Sequence, residues 1–105
     1  MRVLVVDGYD ESRAAVEREL GSAGYEVLAV AEEEEAVRAL SSGPVEIVLL
    51  DLPIAEASEA AQAIRASLRE LGARARIVAF VGPGHPRERR DEAHAAGVDY
   101  FFLRP

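Results

Sequence analysis

The sequence predicts one α/β domain over residues 1–105, built on a five-stranded parallel sheet with helices on both faces. Three observations lead to this fold. Short apolar runs alternate with helical patterns along the chain in the order βαβαβαβαβ. The run at 45–51, VEIVLLD, is apolar almost throughout and ends on Asp51, which is typical of a strand buried on both faces. No linker, internal repeat or low-complexity tract divides the sequence.

The composition excludes several classes of protein. Half of the residues are hydrophobic, which is enough for a packed core, and 12 basic residues against 19 acidic ones give a formal net charge of −7. That charge disfavours direct binding of nucleic acid. There is no cysteine for disulfides or thiolate metal sites, and no apolar stretch long enough to span a membrane. The amino terminus lacks the features of a signal peptide, so we expect a cytoplasmic location.

The first half of the chain predicts two strands and two helices. The first strand ends on Asp7, as the third ends on Asp51. Asp10 is expected to cap the first helix, and the four glutamates that open the second are expected to be solvated. The predicted elements are a strand at 3–6, a helix at about 11–22, an edge strand at 25–31 and a helix at 32–40.

The second half predicts two more helices and two more strands. Ser58 is expected to cap a helix that ends at Gly72. The elements that follow are a strand at 76–81, a loop at 82–86, a polar helix at 87–96 and a strand at 100–103. No helix follows the fifth strand, and four helices cannot cover both faces of five strands. We therefore expect an apolar patch near strands four and five, covered by another part of a longer parent chain or by a partner subunit.

The strand ends predict a site. In a doubly wound sheet of order 2-1-3-4-5, strands one and three are neighbours, which places Asp7 beside Asp51. Two adjacent carboxylates repel, so one is protonated or a cation lies between them. Oxygen ligands without cysteine favour Mg²⁺ over a transition metal. The alternative is that both acids only cap loops at the strand ends, and the residues alone leave the two interpretations equally open.

Several stretches together resemble the receiver domain of bacterial two-component response regulators, a flavodoxin-like fold, over essentially the whole chain. These stretches are VLVVD at 3–7, GYEV at 24–27, VEIVLLDL at 45–52, RIVAF at 76–80, AGVDY at 96–100 and RP at 104–105. Each is short, but their order and spacing make the resemblance specific. It implies a phosphorelay signalling domain that is not itself an enzyme.

The resemblance also implies roles for particular residues. Asp51 matches the acid that accepts a phosphoryl group from a partner histidine kinase. Mg²⁺ would be bound by Asp7, Asp51 and the backbone carbonyl of Pro53. Arg104 stands in place of a lysine that contacts the phosphate, and the Gly82 N–H could donate to a phosphoryl oxygen.

Three departures from the family pattern favour an alternative. Gly8 replaces the second of two consecutive acids, which should lower Mg²⁺ affinity. Val81 replaces a hydroxyl residue that contacts the phosphoryl group, and valine cannot donate a hydrogen bond. Phe101 stands at a switch aromatic position and is expected to pack in the core or an interface. The alternative is therefore a pseudo-receiver, a protein-interaction module that works without phosphorylation.

Other functions fit the sequence less well. The loop Asp7-Gly8-Tyr9-Asp10 resembles that of cobalamin-binding domains, but Tyr9 stands where the cobalt-ligating histidine would be. No dinucleotide-binding glycine motif or nucleophile elbow is present. His85 and His94 are expected to be solvated or at an interface. The expected partners are a histidine kinase or another signalling protein, with a homodimer or parent-chain contact through strands four and five, and no membrane.

Overall fold

The strands assemble into a five-stranded parallel sheet in the computed structural model, which describes residues 1–81 and 87–103. The elements are β1 Arg2–Asp7, α1 Asp10–Ser22, β2 Glu26–Val30, α2 Glu33–Leu40, β3 Ile47–Asp51, α3 Ile54–Leu71, β4 Arg76–Val81, α4 Arg87–Ala95 and β5 Tyr100–Leu103. The strand order is β2-β1-β3-β4-β5, with every neighbouring pair parallel. This confirms the predicted fold class and makes β1 and β3 neighbours.

The main core lies between one face of the sheet and helices α2, α3 and α4. Alternate residues of the central strands point into it, including Leu4, Val48, Leu50 and Ile77, all fully buried. The long helix α3 supplies the opposing surface through Ala57, Ala60, Ala61, Ile64 and Leu68. Full burial of each large aliphatic side chain stabilises the fold by about 1.5–3 kcal/mol. This layer fixes the positions of the strand ends.

The opposite face of the sheet is covered unevenly. Helix α1 packs on β1 and β2, and Val3 and Val5 of β1 are buried there. Farther along this face, Leu49 of β3 is only partly buried. The prediction that 45–51 is a strand buried on both faces is therefore wrong in part. The strand begins at Ile47, and one of its faces is half-open because α1 lies over β1 and β2 rather than over β3.

The predicted apolar patch near β4 and β5 is confirmed for two aromatic residues. Tyr100 and Phe102 are 48% and 56% exposed. The Phe102 ring contacts Phe80 with the centroids 6.2 Å apart, and the Arg76 guanidinium lies 5.9 Å from the centre of the Tyr100 ring. Despite these contacts, about half of the surface of Tyr100 and of Phe102 remains in solvent.

Neighbouring residues on β5 provide a stability test of this arrangement. Phe101 packs against the main core, whereas Phe102 lies on the half-open face. We expect Phe101→Ser to lower the free energy of unfolding by about 2–4 kcal/mol, and Phe102→Ser by about 1 kcal/mol, because the second loses only one ring pair. Urea denaturation of both variants measures the difference. Equal losses would show that the two faces are covered alike.

Helix α3 begins earlier than the sequence predicts. Its first residue is Ile54, and Pro53 is the N-cap, so the prediction that Ser58 caps this helix is wrong. Ser58 lies inside the helix, where its hydroxyl donates to the Ile54 carbonyl at 3.1 Å. Ile54 is 7% exposed, and its burial holds the first turn against the core. Within residues 1–81 and 87–103, the helices are all too short or too polar to cross a membrane.

Candidate functional site

Two carboxylates meet at the carboxyl edge of the sheet. Asp7 ends β1 and Asp51 ends β3, and the two residues are direct partners in the parallel register. Neighbouring strands lie about 4.8 Å apart, so their side chains leave the sheet close together. Asp7 is completely buried and Asp51 is partly exposed. The predicted adjacency is confirmed, and it occurs at the edge where open α/β sheets bind ligands.

The Asp7 carboxylate is held by donors from the same chain. One oxygen, Oδ1, accepts the backbone N–H of Tyr9 at 2.9 Å, and the other, Oδ2, accepts the hydroxyl of Ser12. A carboxylate buried without such donors would be costly, so both bonds are needed to keep Asp7 in the core. They also fix the turn from β1 into α1.

Arg13 places a positive charge beside Asp7. Its Nη1 donates to the Asp7 backbone carbonyl at 2.9 Å, and its Nη2 donates to Asp10 Oδ1 at 2.6 Å. The Arg13 side chain is 22% exposed, against 90% for Asp10. The guanidinium therefore bridges the buried strand end and the solvent-facing start of α1.

The prediction that Asp10 caps α1 is wrong. The N-cap is Tyr9, whose side chain makes no capping bond, and Asp10 is the first helical residue. Because Asp7 already accepts the Tyr9 N–H, the helix can begin without a cap from Asp10. The Asp10 carboxylate turns instead to Arg13, three residues along the same helix face.

Pro53 presents its backbone carbonyl to the first turn of α3. That oxygen accepts the Ala57 N–H at 2.9 Å, as expected of a residue in the N-cap position. A metal at the strand ends would have to share this carbonyl with the helix. The role of Pro53 as a metal ligand stays a prediction.

The described residues do not fit a resident Mg²⁺ ion. Mg²⁺ requires nearly ideal octahedral oxygen ligands and loses its waters reluctantly. Both oxygens of Asp7 already accept protein hydrogen bonds, and Gly8 offers no side chain. In the part of the chain that the structure describes, no group of three or more histidines and acids is arranged to hold a metal.

Replacing Gly8 by Asp should create the missing ligand. Gly8 does not have a positive φ, and a Cβ added there would approach no closer than 4.0 Å to its nearest neighbour, the Ala31 carbonyl. We expect Gly8→Asp to strengthen Mg²⁺ binding by about tenfold or more, the typical effect of one well-placed ligand group, about 1.4 kcal/mol. Calorimetric titration measures it. The neutral isostere Gly8→Asn is the matched control, and equal affinities in the two variants would contradict the prediction.

An acidic groove lies between the starts of α2 and α3, next to the residue that follows Asp51. It encloses about 390 Å³ and is lined by Ala31, Leu52 and five glutamates: Glu32, Glu33, Glu34, Glu56 and Glu59. Glu32 and Glu34 are exposed, whereas Glu33 and Glu35 are partly buried, so the prediction that the run opening α2 is solvated is confirmed for two of its four residues. The groove makes this end of the molecule negative, so cations will gather here without a specific site.

The remaining predicted residues divide into two groups. Gly82, His85 and Arg104 lie outside the described residues, and their roles stay predictions. Phe101 packs against the core and His94 is exposed, as expected. Neither Ser12 nor Arg13 was predicted from the sequence to be part of the site. The spacing of Asp10 and Arg13, three residues apart on a helix, is a signal that could have found Arg13.

Solved receiver domains superimpose on almost the whole chain. The receiver domain of the histidine kinase CKI1 from Arabidopsis thaliana, complexed with Mg²⁺ and BeF₃⁻, is 29% identical, with a TM-score of 0.83 over 97% of this chain and 79% of that one. This chain has a receiver-domain fold. The chemotaxis protein CheY4 of Vibrio cholerae is similar at 24% identity and a TM-score of 0.83, covering 99% of this chain and 86% of that one.

The fold similarity extends beyond bacterial proteins. The receiver domain of the response regulator Ssk1 from Saccharomyces cerevisiae, crystallised with the histidine phosphotransfer protein Ypd1, is 22% identical, with a TM-score of 0.84 over 100% of this chain and 79% of that one. No protein-family model and no curated protein sequence matches the chain. The resemblance is therefore to receiver domains in general, from a bacterium, a yeast and a plant.

Proposed function

We propose that this chain is the receiver domain of a phosphorelay and that Asp51 accepts the phosphoryl group from a histidine kinase or a histidine phosphotransfer protein. The observation that carries the proposal is the pairing of Asp51 with Asp7 at the carboxyl edge of a 2-1-3-4-5 sheet. Two similar structures support it, since one receiver was crystallised with Mg²⁺ and BeF₃⁻ and another with a histidine phosphotransfer protein.

The proposed step is a phosphoryl transfer to a carboxylate. A carboxylate oxygen of Asp51 attacks the phosphorus of a phosphohistidine. The new P–O bond forms while the P–N bond breaks, and the imidazole leaves with that electron pair and takes up a proton. Asp51 is partly exposed at the end of a strand in the middle of the sheet, so solvent reaches its side chain while its backbone is held by pairing with β1. The predicted phosphate contacts are Arg104 and the Gly82 N–H.

Magnesium is not part of the proposed step. The sequence predicts it at Asp7, Asp51 and Pro53, and the CKI1 receiver was crystallised with it. In this chain Asp7 and the Pro53 carbonyl are both hydrogen-bonded within the protein. We therefore derive the transfer from the carboxylate and its protein surroundings alone.

Labelling with a small phosphodonor such as acetyl phosphate tests the proposal. We expect one phosphoryl group to be incorporated into the wild-type chain. Reduction with borohydride followed by peptide mass spectrometry should locate it in the peptide that contains Asp51. No incorporation from the small donor or from a histidine phosphotransfer protein, or incorporation elsewhere in the chain, would refute Asp51 as the acceptor.

A second candidate is the pseudo-receiver, a protein-interaction module that works without phosphorylation. Two features favour it: both oxygens of the Asp7 carboxylate accept protein hydrogen bonds, and Gly8 has no side chain, so both reduce the ligands that the resemblance assigns to Mg²⁺. A chain that binds its partner equally well before and after treatment with phosphodonor would support this candidate. The half-open face around Tyr100 and Phe102 is where the sequence predicts a homodimer or parent-chain contact.

A further inference from the structure

We propose that Arg13, together with Ser12, takes the place of a resident divalent cation at this site. The guanidinium supplies the positive charge beside the buried end of β1. The serine hydroxyl donates to the Asp7 carboxylate, which a metal would need as a ligand. The consequence of this substitution for signalling rests on the proposed function. Metal binding itself can be measured without any phosphoryl donor.

Four oxygen atoms on the β1–α1 side of the site accept hydrogen bonds from protein donors. Asp7 Oδ1 accepts the Tyr9 N–H and Oδ2 accepts the Ser12 hydroxyl. The Asp7 backbone oxygen accepts Arg13 Nη1, and Asp10 Oδ1 accepts Arg13 Nη2. A metal at any of these oxygens would have to share it with a donor whose hydrogen carries positive charge. Each oxygen retains a second lone pair, but a metal ion bound there would lie next to the positively charged hydrogen of the donor.

Arg13 places a partly buried positive charge at the end of β1. Its side chain is 22% exposed, and its guanidinium contacts the Asp7 backbone carbonyl and the Asp10 carboxylate, so its charge is partly shielded from water. Arginine remains protonated under all ordinary conditions, so this charge is permanent. A divalent ion bound at the Asp7 carboxylate would lie near that charge and be repelled by it. The Arg13 charge thus offsets part of the attraction that the acids exert on Mg²⁺.

Hydrogen bonds hold the Arg13 guanidinium in place. The two guanidinium nitrogens bind two different oxygens, which fixes the planar group in one orientation at the helix start. The Ser12 hydroxyl comes from the neighbouring residue and reaches the other side of the Asp7 carboxylate. In the first turn of α1, Ser12 therefore holds the Asp7 carboxylate and Arg13 holds the Asp7 backbone carbonyl. Displacing them would require this turn to rearrange.

Titration of Mg²⁺ into ¹⁵N-labelled protein at constant ionic strength tests the inference. We expect the amide signals of Asp7, Gly8 and Asp51 in the wild type to show no saturating shift at millimolar Mg²⁺. In Arg13→Gln we expect saturating shifts at these amides and an affinity at least about tenfold stronger, since the charge is lost. Ser12→Ala should also bind Mg²⁺ more tightly than the wild type, but with a smaller gain in affinity than Arg13→Gln. Arg18→Gln, an exposed arginine on the same helix, should behave as the wild type.

Arg13→Lys separates charge from geometry. It keeps the positive charge but loses the planar fork, so we expect it to exclude Mg²⁺ as the wild type does. Saturable binding in the wild type, or no gain in folded Arg13→Gln, would overturn the inference, as would a gain in Arg13→Lys equal to that in Arg13→Gln. The amide spectrum of each variant reports its folding in the same experiment. If Asp51 proves not to be labelled by phosphodonors, the proposed function fails and these titration results still stand.

Discussion

Replacing Asp51 by Asn should abolish phosphoryl incorporation completely while the domain stays folded. Asparagine has nearly the same shape as aspartate but an amide nitrogen in place of one oxygen, so it cannot act as the nucleophile at neutral pH. Asp51 lies at the end of β3 and is only partly buried, so the neutral side chain fits the same space. Incorporation of labelled phosphate from acetyl phosphate, with thermal unfolding of the same sample, measures both effects.

Two further variants, at Asp10 and Asp7, test whether the loss of incorporation is specific to Asp51. Asp10→Asn changes an exposed acid near the same edge, whose side chain is 90% exposed, and should leave incorporation at Asp51 within about twofold of the wild type. Asp7→Asn should reduce stability as well as incorporation, because asparagine has only one side-chain oxygen and so can accept only one of the two hydrogen bonds that the Asp7 carboxylate accepts. Full incorporation in Asp51→Asn, or its loss in Asp10→Asn, would place the acceptor elsewhere.

The sequence was sufficient to predict the strand order and the pairing of Asp7 with Asp51. Both follow from local patterns, namely apolar runs that end on acids, together with the handedness of parallel connections. The pairing also follows because strands one and three are neighbours in this topology, whatever the surrounding side chains do. The register of Asp7 with Asp51 confirms it.

The hydrogen bonds that surround Asp7 and begin the helices could not be predicted in the same way. A serine or aspartate near a helix start can cap the helix, bond to a neighbour or face solvent, and the choice depends on which partner arrives in three dimensions. Asp10 pairs with Arg13 instead of capping α1, where Asp7 accepts the N–H of the N-cap residue. Ser58 lies inside α3 because burial of Ile54 places the start of that helix four residues earlier. Burial of β3 likewise depends on the position of α1, which the strand itself does not encode.

Arg65 makes contacts that could not be predicted from the sequence either, because its partners lie far along the chain, and removing its guanidinium should cost more stability than removing that of an exposed arginine. This α3 residue donates from Nε to the Gly97 carbonyl at 3.1 Å, from Nη1 to the Ala75 carbonyl at 2.8 Å and from Nη2 to the Asp99 carboxylate. Asp99 also accepts the Ile77 N–H at 2.8 Å. One guanidinium therefore joins α3, the start of β4 and the loop before β5.

The loop before β5 packs against the aliphatic part of the Arg65 side chain as well as against its guanidinium. Gly97 has a φ of +117°, and a Cβ added to it would lie 2.6 Å from Arg65 Cγ. Only glycine combines this backbone conformation with so close an approach. The glycine of the AGVDY stretch is thus explained by a side chain 32 positions earlier in the chain, which no local pattern could indicate.

We expect Arg65→Met to lower the free energy of unfolding by about 2–3 kcal/mol, because it deletes three hydrogen bonds and leaves two carbonyls and a carboxylate without this donor. The expected loss is modest because Arg65 and Asp99 are 29% and 38% exposed. For a domain of this size the melting temperature should fall by about 10 °C. Arg69→Met, an exposed arginine on the same helix, is the matched control and should cost less than about 0.5 kcal/mol.

A double-mutant cycle with Asp99→Asn separates the ion pair from the two carbonyl contacts. Asparagine at 99 can still accept the Ile77 N–H through its side-chain oxygen, so the single variant should cost only about 1 kcal/mol. If the pair is coupled, the double variant should be less destabilised than the sum of the two single changes, by about 0.5–1 kcal/mol. Strict additivity would mean that the carbonyls of Gly97 and Ala75, rather than Asp99, carry the stabilisation by Arg65. Equal losses in Arg65→Met and Arg69→Met would show that the guanidinium joins these elements without stabilising them.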